Sequence, residues 1–127
     1  MERALKVSEE HIWVVEEDHH LCFGLTNYGQ SELGEILSVE LPGVGEKVEK
    51  GEAFAEVESV ATVSELIAPA SGTVLAVNTE VETHPSLINE DPYNAGWLIE
   101  VRVKDRAEID PLMEMDEYYH FVFKEKP

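Results

Sequence analysis

A mainly β fold, with short helices at its margins and a helical C-terminal segment, is predicted for this chain by three observations. Short runs of β-branched and aromatic residues alternate with Gly, Pro and acidic turn residues. Seventeen consecutive residues, Glu52 to Ala68, contain no Gly, Pro, Asn or Asp; a strand rarely exceeds about 10 residues, so a reversal lies inside the run. Near the C-terminus, Leu112, Met115, Tyr119 and Val122 recur at helical spacing.

The elements follow in order. Ile12-Trp13-Val14-Val15 reads as a strand, Glu16-Glu17-Asp18 as a polar interruption and Leu21-Cys22-Phe23-Gly24-Leu25 as the return, giving a hairpin over 12–26. Thr26 or Asn27 caps a short helix over roughly 28–33 that Gly34 ends. Ile36 to Leu41 is a strand stopped by Pro42-Gly43. Within the long unbroken run, the polar centre from Glu58-Ser59 through Thr62 is the place for the reversal. Pro69 to Gly72 breaks the chain, and Thr73 to Val77 is a further strand. Residues 78–96, with Pro85, Pro92 and Gly96, read as one long polar loop. Trp97 to Val103 alternates, which predicts Trp97, Ile99, Val101 and Val103 on one face. Asp105 with Glu108 resembles a capping box, and Asp110-Pro111 sets a cap before a first-turn proline. Leu112, Met115, Tyr119 and Val122 then hold the tail on the sheet. A faint echo, Gly45 to Val48 against Gly72 to Val74, opens two strands after a glycine but is too short to count as a repeat.

At 127 residues the length prior gives a single domain, 1–127, and a chain of this size buries roughly two-thirds of its unfolded surface without staples. Hydrophobic content of 43% fits a globular chain. Twenty-seven acidic against nine basic residues give a net charge of −18. Such a surface repels nucleic acid and anionic lipid and steers the protein towards basic-surfaced protein partners in a salt-dependent way. No apolar run approaches the roughly 18 residues of a membrane span. The N-terminus shows neither a secretory core nor an Arg-rich transit peptide. With the lone Cys22 no intramolecular disulfide forms, and a cytoplasmic setting is expected.

Little in the sequence points to independent chemistry. His19 and His20 are adjacent, and neighbours on a strand point to opposite faces, so no shared metal is expected. His11 beside Trp13 reads as structural, and Cys22 in an apolar strand as a small hydrophobe. Gly43-Val44-Gly45 lacks the lysine and helix start of a phosphate loop. No nucleophile–base–acid set stands at informative spacing. The expectation is a non-catalytic protein without a metal.

The ordered segments Ser8-Glu9-Glu10-His11-Ile12-Trp13, Gly24 to Gln30, Leu33 to Ile36, Val39 to Pro42, Gly51-Glu52, Val57 to Val60, Ala68 to Gly72, Val77-Asn78, Asn89 to Tyr93 and Gly96 to Leu98 resemble the H protein of the glycine cleavage system over about residues 8–123. The resemblance implies a barrel-sandwich hybrid of two small antiparallel sheets with short helices. It places a lipoyl-hairpin core at about 36–78, C-terminal helices at about 105–124, and a monomer. It also implies a tether: in the family, lipoate on a lysine at the hairpin tip takes an aminomethyl group from a pyridoxal phosphate enzyme. A folate enzyme then receives the one-carbon unit, and a flavin enzyme reoxidises the arm. The chemistry belongs to cofactor and partners.

At the family's Glu-Ser-Val-Lys the chain reads Glu58-Ser59-Val60-Ala61. A methyl group forms no amide with lipoate, so no cofactor is expected. The family's His-Glu-Trp is His11-Ile12-Trp13, a hydrocarbon where the resemblance implies a cleft carboxylate, and its Asp-Tyr-Ala-Gln segment is Asn27-Tyr28-Gly29-Gln30. Glu58 and Glu65 remain. Lys47 and Lys50 lie about one strand before the tip and read as surface charges, while the hydroxyls of Ser59 and Thr62 are poor acceptors for lipoyl transfer. The first expectation is therefore a non-carrier binding, scaffold or regulatory homologue. Its partners would be glycine cleavage enzymes or another lipoate-dependent system. The alternative is an aminomethyl carrier whose lysine has been substituted.

Overall fold

The computed structural model describes residues 5–18 and 20–124. Among the described residues ten strands form two antiparallel sheets. In chain order they are β1 (Leu5–Val7), β2 (Ile12–Glu17), β3 (His20–Leu25), β4 (Ile36–Glu40), β5 (Lys47–Val48), β6 (Ala53–Ser59), β7 (Val63–Ile67), β8 (Gly72–Val77), β9 (Ile99–Val103) and β10 (Met113–Glu114). The larger sheet runs β10-β1-β2-β3-β9-β8-β5 and the smaller β4-β6-β7. Helices α1 (Asn27–Leu33), α2 (Thr79–Thr83), α3 (Ser86–Glu90) and α4 (Met115–Lys124) lie around them. No helix among the described residues is long and apolar enough to cross a membrane.

Period-2 patterning decides which side chains go where. Ile12 and Val14 on β2 and Leu21, Phe23 and Leu25 on β3 enter the main core. There they meet Val57 and Leu66 of the small sheet and Ile99 and Val101 of β9. The intervening Trp13, Val15 and Cys22 point the other way and pack with Tyr93 and Trp97. Gly24 stands opposite Trp13 in the register, and a Cβ there would fall 2.2 Å from the indole, so glycine is required for the ring to lie across the strand. Tyr118 and Val122 of α4 bury against Val7 of β1 in a third cluster. The large sheet is thus covered on both faces.

The expected hairpin over 12–26 forms as β2–β3, and the echoing glycine-led segments become β5 and β8, which pair with each other through Lys47–Thr73 and Val48–Gly72. Four expectations need correction. Residues 78–96 are not a loop: they hold α2, which the Asn78 side chain caps through the Glu80 amide, and α3. Trp97 does not share a face with Ile99 and Val101, because β9 starts only at Ile99; a turn closed by the Trp97 N–H on the Asn94 carbonyl sends the indole to Trp13 and gives Leu98 to the main core. Asp110-Pro111 opens no helix: a 3-10 turn at Arg106–Ile109 precedes it, and the chain then pairs as β10 with β1 before α4 begins. Within α4, Tyr118 rather than Tyr119 is the buried tyrosine, and Tyr119 stays exposed.

Candidate functional site: the hairpin tip

The long breaker-free run folds as the β6–β7 hairpin, and its reversal falls at Ser59-Val60-Ala61-Thr62, inside the predicted segment. Serine does most of the local holding. The Ser59 Oγ accepts from the amides of Ala61 and Thr62, both at 3.2 Å, and donates to the Thr62 carbonyl at 3.3 Å, which uses its one proton and both lone pairs. The Ser59 N–H donates to the same carbonyl at 2.8 Å.

The tip is also tied sideways. The Val60 N–H donates to the Glu35 carbonyl at 3.0 Å, just beyond α1. That anchor is itself fixed. Thr26 caps α1 through the Gly29 amide, and Gly34 ends it at a φ of 86°, a left-handed value glycine accepts without cost. The Asn89 side chain reaches in from α3, accepting from the Ile36 amide at 2.9 Å and donating to Gln30 Oε1 and the Gly34 carbonyl. The side chains of Val60 and Ala61 face solvent. The tip is a braced platform whose outward residue is a methyl group.

On the outer face of the small sheet, Glu40, Glu56 and Glu65 stand directly opposite one another across three strands. One register step towards the tip are Ser38, Glu58 and Val63, and the Ser38 hydroxyl donates to Glu58 at 3.3 Å. Glu82 of α2 joins Glu40, Glu56 and Glu58 around a shallow hollow of about 430 Å³. Glu58 and Glu65 therefore belong to an acidic face beside the tip.

His11 and Ile12 sit elsewhere. The Ile12 side chain is fully buried in the main core, and its N–H donates to the Ser8 hydroxyl at 3.1 Å. His11 adopts a positive φ of 74° and places Nδ1 2.7 Å from the Tyr118 hydroxyl, which also lies 2.8 Å from Thr26 Oγ1. Histidine here joins α4 to the start of α1, a structural role. Burial pushes the Tyr118 phenol up to about 12, against the partial offset of its bond with Thr26. Burial also raises Tyr93, whose hydroxyl accepts from the Asn27 amide, with Tyr119 alongside adding to the effect. Cys22 is buried; His20 lies 3.5 Å from Glu100, and His19 lies outside the described residues. Among the described residues no group of three His, Cys, Asp or Glu side chains is placed to hold a metal.

Fold and site together define a small β-sandwich that holds one exposed, braced turn at its end. The glycine cleavage H-protein family model matches residues 5–125. The glycine cleavage system H protein of Halalkalibacterium halodurans is 49% identical over 121 residues, covering 95% of this chain and 94% of its own. That of Bacillus cytotoxicus is 48% identical over 114 residues and 90% of each chain. The crystal structure of a glycine cleavage system H protein from Mycobacterium marinum superposes with a TM-score of 0.87 at 36% identity, covering 96% of this chain and 98% of that one. The chain belongs to the glycine cleavage H-protein family. Proteins of this family are non-catalytic carriers, so the chain belongs to a family of carriers rather than of enzymes.

Ala61 at the tip carries no amine. Lys50 precedes β6 at the end away from the turn, so the seven-residue strand, roughly 23 Å long, separates it from the tip, and its Nζ donates to the Glu108 carbonyl. Ser59 Oγ is engaged in the turn itself. The positioning residues that sequence reasoning passed over are Asn89 and Tyr118. An Asn directly after the apolar pair Leu87-Ile88 in a polar segment gave no local sign of reaching the tip anchor.

Proposed function

We propose that this chain is a glycine cleavage carrier framework in which one residue, Ala61, withholds the cargo: it folds, presents the hairpin and docks, but loads nothing. The supporting observation is the braced tip. Ser59 closes the turn and Glu35 anchors it, so that residue 61 points outward as an attachment position must. The near full-length likeness to H proteins favours a competent carrier with a replaced lysine over a scaffold that has drifted from the role. Its partners are then the enzymes of glycine cleavage, met in the cytoplasm by a monomer. Basic surfaces on them would meet the acidic face of Glu40, Glu56, Glu58 and Glu65.

A second reading, a non-carrier regulatory or scaffold homologue, rests on the resemblance alone: Ile12 stands where the family has a carboxylate, but its side chain is buried in the main core. Reconstituted glycine decarboxylation separates the two, using the protein treated with a lipoyl ligase. The unaltered chain should give no turnover and Ala61→Lys should restore it. A folded, lipoylated Ala61→Lys protein that stays inactive would defeat the carrier-framework reading and leave the second.

A further inference from the structure

Helix α4 keeps two aromatic rings out of the packing that holds it down. Tyr118 and Val122 are buried against β1, whereas Tyr119 and Phe123 are 41% and 55% exposed. Those two rings stack with centroids 5.9 Å and planes 17° apart, and Tyr28 of α1 stands at 87° to Phe123, 6.1 Å away. With Asn27, Ser31 and Glu32 they line a groove of about 250 Å³ between α1 and α4. Among the described residues none of the lining side chains is cationic, and the chain carries −18 overall.

We propose that this groove receives an arginine side chain from a basic protein partner that covers the hairpin tip. Three features select that occupant. The volume suits one long side chain rather than a helix or strand. The walls are ring faces and edges, on which a planar guanidinium stacks while its N–H groups fan outwards in the plane. The rim offers oxygen lone pairs from the Ser31 hydroxyl and, beside the bond it accepts from Gln30 Nε2 at 2.9 Å, the Asn27 amide, next to the negative charge of Glu32. A second copy of this chain is a poor occupant, since two such surfaces carry like charge and neither groove holds a cation for the other.

Position links the groove to the tip. Asn27 and Tyr28 form the first turn of α1, and the carbonyl that anchors Val60 lies two residues past its end. Seven residues of helix span about 10 Å. One interface of ordinary size, about 800 Å² per partner, covers both ends of such a helix. The inference does not depend on residue 61 and stands whichever reading of the carrier role holds.

The test is an NMR titration of the full chain with acetyl-arginine-amide, against the lysine and citrulline equivalents. Saturable shifts confined to Tyr28, Glu32, Tyr119 and Phe123 are expected, strongest for arginine and weakened by salt. Tyr119→Leu with Phe123→Leu, both exposed positions, should weaken binding about fivefold or more, the scale of a lost exposed cation–π contact. Glu32→Gln, which leaves the rings intact, should weaken it less. Shifts scattered over the whole acidic surface, equal shifts with citrulline, or unchanged binding in the double variant would overturn the assignment. So would a dimer in sedimentation that dissolves on the double substitution.

Discussion

Replacing Glu56 by Gln takes the middle charge out of a row of three. Glu40, Glu56 and Glu65 are direct cross-strand neighbours on one solvent-facing surface. Adjacent strands lie about 4.8 Å apart, and freely splaying carboxylates stand about 6.5 Å from each other. At that distance two like charges repel by about 0.6 kcal/mol in water. A Debye length of about 8 Å at physiological salt lowers this to about 0.3 kcal/mol. Glu56 takes part in two such pairs, so Glu56→Gln should stabilise the fold by about 0.6 kcal/mol, within the range for cross-strand pairs. With an unfolding entropy near 2.1 cal/mol/K per residue, the midpoint rises by about 2 °C. Urea unfolding at low, physiological and about 1 M salt measures it. The gain should be largest at low salt and almost vanish at 1 M, where the Debye length is about 3 Å. A gain independent of salt, or a loss at low salt, would refute the idea that repulsion across this face costs stability.

Three further outcomes follow from the packing. Gly24→Ala forces a Cβ against the Trp13 indole, whose Nε1–H is already committed to the Pro92 carbonyl at 3.0 Å, and should cost about 1–3 kcal/mol in urea unfolding; a neutral result would mean the ring is free to move. Ser59→Ala removes the acceptor for two tip amides and should cost about 1 kcal/mol, with faster hydrogen exchange at Ala61 and Thr62; unchanged exchange would show that the hydroxyl does not hold the turn. Tyr118 has a folded-state pKa above its ordinary 10, so its neutral form is the one the fold favours. Its contribution is intact below pH 10 and is lost as pH rises towards about 12. Tyr118→Phe should flatten that alkaline decline, leaving the part due to Tyr93; a decline of the same steepness in the variant would contradict it.

The parts of this fold that sequence reveals are those that local chemistry fixes. Thr26 and Gly34 bracket α1 because a cap and a left-handed glycine are written at its ends. The tip at Ser59–Thr62 is legible from an absence, since a run with no breaker is too long for one strand. The misread parts depend on distant partners. β1 and β10 are two or three residues each and exist because Lys6 meets Glu114, reinforced by an ion pair at 3.2 Å. His11 and Tyr118 are 107 residues apart, and no pattern in either segment announces their bond. In 78–96 the prolines masked a readable signal, Asn78 followed by Thr79-Glu80, which is a cap before an acidic first turn. Tyr119 shares with Met115 and Val122 a helical spacing that predicts burial, yet α4 meets the sheet through Tyr118 and Val122. At the site, identity of the tip came from the sequence and its bracing by Glu35 and Asn89 only from the structure.

Intact mass after co-expression with a lipoyl ligase bears most directly on the claim that the hairpin is a sound carrier platform lacking only its amine. The unaltered chain should show no added group, and Ala61→Lys should gain one lipoyl moiety, mapped by peptide analysis to residue 61. A lipoyl adduct on the unaltered chain, or a folded Ala61→Lys protein that the ligase leaves bare, would contradict it.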